Sequence, residues 1–102
     1  MDTEKKIIAA LSEVINAPDR PPALWQLPRI KYPARQIQMV NLSDGACELR
    51  YYHRYKNRSP KMPLTDVAEL RDALNAALPD GINVPAVEDN GNYISIYMEE
   101  SV

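Results

Sequence analysis

Gln36-Ile37-Gln38-Met39-Val40-Asn41-Leu42-Ser43-Asp44-Gly45-Ala46-Cys47-Glu48-Leu49-Arg50-Tyr51-Tyr52-His53-Arg54-Tyr55-Lys56 is the stretch on which the fold turns. Ile37 and Met39 alternate with Gln36 and Gln38, and Val40 and Leu42 extend the run. Past the turn residues Ser43-Asp44-Gly45-Ala46 the alternation resumes from Cys47 to Lys56. A hydrophobic period of two is that of a strand, so the stretch predicts a β-hairpin. Strand geometry then assigns Cys47, Leu49, Tyr51, His53 and Tyr55 to one face and Glu48, Arg50, Tyr52, Arg54 and Lys56 to the other.

Working outward, Ile7, Ile8, Leu11, Val14 and Ile15 form a stripe with a 3.6-residue period, which predicts a helix capped by Asp2 or Thr3 and ended by Pro18. Residues 18–35 hold Pro18, Pro21, Pro22, Pro28 and Pro33, which argue against a regular helix or central strand and for an extended, stiff crossing or edge segment. Trp25, between Leu24 and Leu27, is expected to pin that segment to the body. Beyond a loop over 57–63, Thr65 is the expected cap of a second helix with Val67, Leu70, Leu74 and Leu78 on one face, stopped by Pro79-Asp80-Gly81. Ile82 to Val87 and Tyr93 to Met98 flank an Asn90-Gly91 pair, the signal of a second hairpin, with Pro85 placing its first strand at an edge or interrupting it.

The order αββαββ leaves two striped helices and four strands needing a cover. The economical arrangement is an α+β two-layer sandwich: a four-stranded antiparallel sheet with two helices on one face. At 102 residues this is a single domain, 1–102, with a proline-rich segment at 18–35. Asn16-Ala17-Pro18-Asp19 echoes Asn75-Ala76-Ala77-Leu78-Pro79-Asp80, a match too short to establish duplication.

The formal net charge of −2 hides opposed blocks. Residues 20–61 carry nine cations against Asp44 and Glu48, a formal +7, and residues 62–102 carry Arg71 against eight carboxylates, a formal −7. Such polarity suits an anionic partner, a second protein or self-association. Cys47 is the only cysteine, which rules out an internal disulfide and a C-x-x-C metal knuckle. The N-terminal apolar run is too short for a signal peptide, and nothing approaches the ~20 apolar residues of a bilayer span, so the expectation is a cytoplasmic protein with no membrane partner.

Candidate chemistry is sparse. His53 is the only histidine, and Cys47, six residues away along the strand, is too far to be its nucleophile, so His53 reads as a packed strand residue and Cys47 as a small buried hydrophobe. Gly45, Gly81 and Gly91 sit in three separate turns, which excludes a glycine-rich phosphate loop. Glu88-Asp89-Asn90 lacks the spacing of a calcium loop, and neither a cofactor nor a metal is expected. Asp66, Glu69 and Asp72 read as a solvated helix face.

Two surfaces remain. Arg50, Tyr52, Arg54 and Lys56, extended by Arg58 and Lys61, combine phosphate-neutralising cations with an aromatic able to stack on a base; the plainer reading is an exposed polar strand face. A pI near 5.3 is low for a dedicated nucleic-acid binder. Arg20-Pro21-Pro22-Ala23-Leu24-Trp25-Gln26-Leu27-Pro28-Arg29 joins stiffness to the residue types common at interface centres, although Trp25 could equally close one end of the core. The expectation is a small non-enzymatic binding module acting through protein–protein association, as an accessory subunit or homo-oligomer. The alternative is nucleic-acid binding through the basic, Tyr-containing strand face.

Overall fold

The computed structural model describes residues 2–43, 45–53 and 61–100, with the side chain of Asp2 excepted. The apolar stripe of residues 7–15 becomes α1 (Asp2–Asn16), and a 3-10 turn (Pro22–Leu24) follows it. Next come a one-turn helix α2 (Pro33–Gln36), β1 (Ile37–Ser43) and β2 (Ala46–Tyr52). The chain closes with α3 (Leu64–Ala77), β3 (Ile82–Asp89) and β4 (Tyr93–Glu100). The strands form one antiparallel sheet in the order β1-β2-β4-β3, and the long helices α1 and α3 share one face of it: the α+β two-layer sandwich that the two periodicities predict.

The core lies between the layers. Ile7, Leu11 and Ile15 of α1 and Leu70 and Leu74 of α3 are fully buried with Leu49, Tyr51, Ile94 and Ile96 of the two central strands. Leu49 faces Met39 on one side and Ile96 on the other, so the odd-numbered residues of β2 point under the helices as alternation requires. Pro85 has both expected consequences: β3 is an edge strand, and its pairing with β4 shifts register between Asn83 and Ala86. Gly45 adopts φ +74° in the β1–β2 turn, a left-handed conformation that favours glycine.

The two αββ halves meet at the β2–β4 pair, with Leu49 opposite Ile96 near its centre. Asn16 and Asn75 perform one task in both halves. Asn16 donates Nδ2 to the Ile30 carbonyl (3.0 Å) and accepts the Ile30 N–H at Oδ1 (2.8 Å). Asn75 does the same to Val84, at 2.9 and 2.7 Å. Each amide thereby ties the end of a helix to the extended chain running past it.

Several local expectations are corrected. Thr3 lies inside α1, where its hydroxyl donates to Glu100 Oε1 (3.2 Å), so it is not the cap. Thr65 does not cap α3 either: the helix begins at Leu64, and its cap position is Pro63, whose ring has no hydrogen-bonding group and makes no capping bond. The proline-rich segment is not wholly extended, because proline is tolerated in the first turn of a helix, and Pro22 and Pro33 open the 3-10 turn and α2. Trp25 neither pins the segment nor plugs the core: it is 64% exposed, whereas Leu24 and Leu27 are buried and do the pinning. Among the described residues no helix is long and apolar enough to cross a membrane.

Candidate functional site

The segment between α1 and β1 is stiffened by its own polar side chains. Arg20 Nη1 donates to the carbonyls of Ile15 (2.6 Å) and Leu27 (2.9 Å), and the Trp25 indole N–H donates to the Arg20 carbonyl (2.8 Å). Gln36 Oε1 accepts the N–H groups of Lys31 (3.0 Å) and Tyr32 (2.9 Å), while its Nε2 donates to the Arg29 carbonyl (3.0 Å). From the core, the Tyr51 hydroxyl donates to the Pro28 carbonyl. A segment whose carbonyls and amides are engaged in this way presents its remaining side chains with little ordering left to pay for on binding.

Those side chains converge on a groove of about 600 Å3 lined by Pro28, Arg29, Lys31, Tyr32, Arg35, Gln36 and Tyr52. All three charged residues of the lining are cations. Arg29 is anchored by a bond from Nη1 to the Asn16 carbonyl (2.7 Å), and the Arg35 guanidinium lies 5.6 Å from the centre of the Tyr32 ring. Tyr52 carries the surface onward over the sheet face opposite the helices. Its ring lies 5.2 Å from that of Tyr93 at 49°, its hydroxyl donates to Gln38 Oε1 (3.0 Å), and the Arg50 guanidinium sits 5.1 Å from the Tyr93 ring centre.

Of the sequence-predicted residues, Arg50 and Tyr52 thus belong to one continuous cationic and aromatic strip. Arg54, Tyr55, Lys56 and Arg58 lie outside the described residues. Trp25 stands apart on the helix side, where Gln26 Nε2 meets Asp66 Oδ2 (3.3 Å) beside the first turn of α3 and the 87% exposed Leu64. Arg20 is spent on carbonyls. Arg29 ends the proline-rich segment already considered as an interface, the sequence signal of Lys31, Tyr32 and Arg35 is a cluster of cations and tyrosine between Pro28 and Gln36, and Tyr93 carries no such signal.

The expectation that the even-numbered face of β2 is wholly solvated fails at Glu48, which is 5% exposed. Its neighbours across the sheet are Val40 and Tyr97, and its Oε2 accepts the Ser95 hydroxyl at 2.6 Å.

His53 finds its partner on another element. Its Nε2 lies 3.5 Å from Asp89 Oδ1, and both side chains are 3% exposed. Asp89 also accepts the N–H of Met62 (2.8 Å) and, in an Asx turn, that of Gly91 (2.9 Å). The pair therefore braces the end of β2, the approach to α3 and the β3–β4 turn, and burial closes it to substrate. Cys47 is 5% exposed, and burial, with the charge of Glu4 in second place, pushes its thiol above the usual range. It lines a second cavity of about 400 Å3 together with Glu4, Met98 and Glu100, a lining whose carboxylates do not suit an anion. Among the described residues no group of three His, Cys, Asp or Glu could hold a metal ion. Comparisons of the chain with protein-family models, with curated proteins and with solved structures gave no match.

Proposed function

We propose that this chain is a non-enzymatic binding module and that its partner is single-stranded nucleic acid. One observation carries the reading: Arg29, Lys31 and Arg35 line a groove with Tyr32 and Tyr52 and without a carboxylate, and the surface continues onto Tyr93 and Arg50. Cations neutralise phosphates, and exposed rings accept unpaired bases at about 1–3 kcal/mol each, a combination that a paired duplex cannot use in full. Asp66, Glu69 and Asp72 lie on α3, across the sheet from Tyr52. On the face of Arg50 itself the register places Glu88 beside Ser95 and Glu99 beside Ala46, so the cationic surface is confined to the end of the sheet at Tyr52, Tyr93 and the groove. The setting we propose is the cytoplasm, where the free thiol of Cys47 stays reduced.

Fluorescence anisotropy with a labelled single-stranded oligonucleotide tests the reading. Three neutralised phosphates give a slope near −2 in log K against log salt, so affinity falls about 20-fold between roughly 50 and 200 mM salt. Tyr52→Ala weakens the single strand by about 5- to 150-fold and duplex far less. An absence of binding at about 50 mM salt removes the reading.

A second reading, protein–protein association, rests on Trp25 and Leu64, large apolar side chains left 64% and 87% exposed at the same end of the helix layer. As a homo-oligomer, the chain would pair through its opposed charge blocks and dissociate as salt rises. Sedimentation showing a strict monomer at low salt and high concentration removes that version.

A further inference from the structure

Glu48 is a buried carboxylate on the sheet face that no long helix covers. Its Oε2 accepts the Ser95 hydroxyl at 2.6 Å, and Ser95, itself fully buried, receives Asn90 Nδ2 at 2.7 Å. Its Oε1 lies 3.3 Å from Arg50 Nε, an ion pair that falls short of a well-formed hydrogen bond. Burying a carboxylate costs several kcal/mol, and a central strand position flanked by Val40 and Tyr97 suits an apolar residue better. Beneath an anion-binding surface the negative charge is also unfavourable in itself. What Glu48 does accomplish is geometric. The Arg50 guanidinium is held from two directions, by the carboxylate at Nε and by the Tyr93 ring 5.1 Å from its central carbon, while the side chain remains 31% exposed. A guanidinium fixed at Nε directs its far edge, with two parallel N–H donors, away from the anchor.

We propose that Glu48 is a positioning residue that holds Arg50 as a rigid fork for a group with two adjacent acceptors on an unpaired strand. The two non-bridging oxygens of a phosphate and the O6/N7 edge of guanine both present that pattern. The inference rests on the nucleic-acid reading above and adds to it the group that orients the strand.

Charge and position predict opposite outcomes, which makes the proposal testable. E48Q and E48V remove the same negative charge, but only E48Q keeps an acceptor for Arg50 Nε. R50K keeps the positive charge and loses the fork. Affinities are measured by anisotropy at about 50 mM salt for a single-stranded oligo(dT) and for the same oligomer with one central dG. We expect E48Q to bind at least as tightly as wild type, E48V to bind about ten-fold more weakly than E48Q, R50K to lose a similar factor, and R50K to add little in the E48V background. A dG preference in wild type that R50K abolishes assigns the guanine edge; an equal loss on both oligomers assigns phosphate. If E48V does not fold, R50K decides, together with the NMR shifts of the Arg50 side chain, which the proposal requires to carry the ring-current displacement of Tyr93 in wild type and E48Q alike. E48V binding as tightly as E48Q, or R50K binding as wild type does, overturns the inference and leaves the nucleic-acid reading standing. No wild-type binding overturns both.

Discussion

Replacing Leu49 by alanine and, separately, Tyr52 by alanine tests the assignment of faces on which the candidate site depends. Leu49 is fully buried, with Met39 opposite it on β1 and Ile96 opposite it on β4. Neighbours held in a sheet collapse poorly into a vacated volume, so the truncation belongs in the upper part of the usual range for Leu→Ala, about 3–5 kcal/mol. Tyr52 is 37% exposed. Its loss forfeits one solvent-accessible hydrogen bond to Gln38 and a tilted ring contact with Tyr93, which water partly replaces, at about 1 kcal/mol and below about 2. Urea unfolding followed by far-ultraviolet circular dichroism separates the two. At a slope of about 1–1.5 kcal/mol per molar, Leu49→Ala lowers the midpoint by roughly 2–5 M, and Tyr52→Ala by about 1 M with the slope unchanged. The order should reverse for binding, where folded Leu49→Ala retains affinity and Tyr52→Ala loses it. Equal midpoints, or a larger loss for Tyr52→Ala, would refute the register of β2 and with it the surface assigned to Arg50, Tyr52 and Tyr93.

Trp25→Ala should cost under about 1 kcal/mol and Leu27→Ala about 2–5, because the first is 64% exposed and the second 1%; Trp25 should also emit at long wavelength and be quenched by acrylamide almost as free tryptophan is. Asn75→Ala leaves the Val84 N–H and carbonyl without their partner and should destabilise by about 1–3 kcal/mol in chemical denaturation; Asn75→Asp should also destabilise at neutral pH, since a carboxylate cannot donate to the Val84 carbonyl. Cys47 should react with Ellman's reagent far more slowly in the folded protein than in urea. Its thiol is raised in the folded state by burial, so above about pH 8.5 the unfolded chain gives up that proton first, and the contribution of Cys47 to stability falls as pH rises; Cys47→Ser should remove this part of the alkaline decline.

Local periodicity made the architecture legible. The alternation in 36–52, the stripes at 7–15 and 67–78, and the Asn90-Gly91 turn each constrain their own segment, and together they leave one economical way to bury four strands and two helices. The outward direction of Arg50 and Tyr52 followed from the same period of two. Cap positions were less legible, because Pro63 and Leu64 already start α3 before Thr65 can serve, and helix termini depend on neighbouring packing as much as on a residue's hydrogen-bonding capacity.

By itself, the sequence determined the α+β class, the strand and helix segments, and which face of β2 enters the core, since these depend on residues within a few positions of one another. Only the tertiary structure decided what meets across the chain. It brought Asp89 to His53 and Ser95 to Glu48, left Trp25 in solvent while Leu24 and Leu27 turned inward, and carried Arg29, Lys31, Tyr32 and Arg35 to the end of β2 beside Tyr52. Those meetings depend on where Tyr51, Gln36 and Asn16 fasten the proline-rich segment, which are contacts over 4 to 23 positions that no local periodicity encodes.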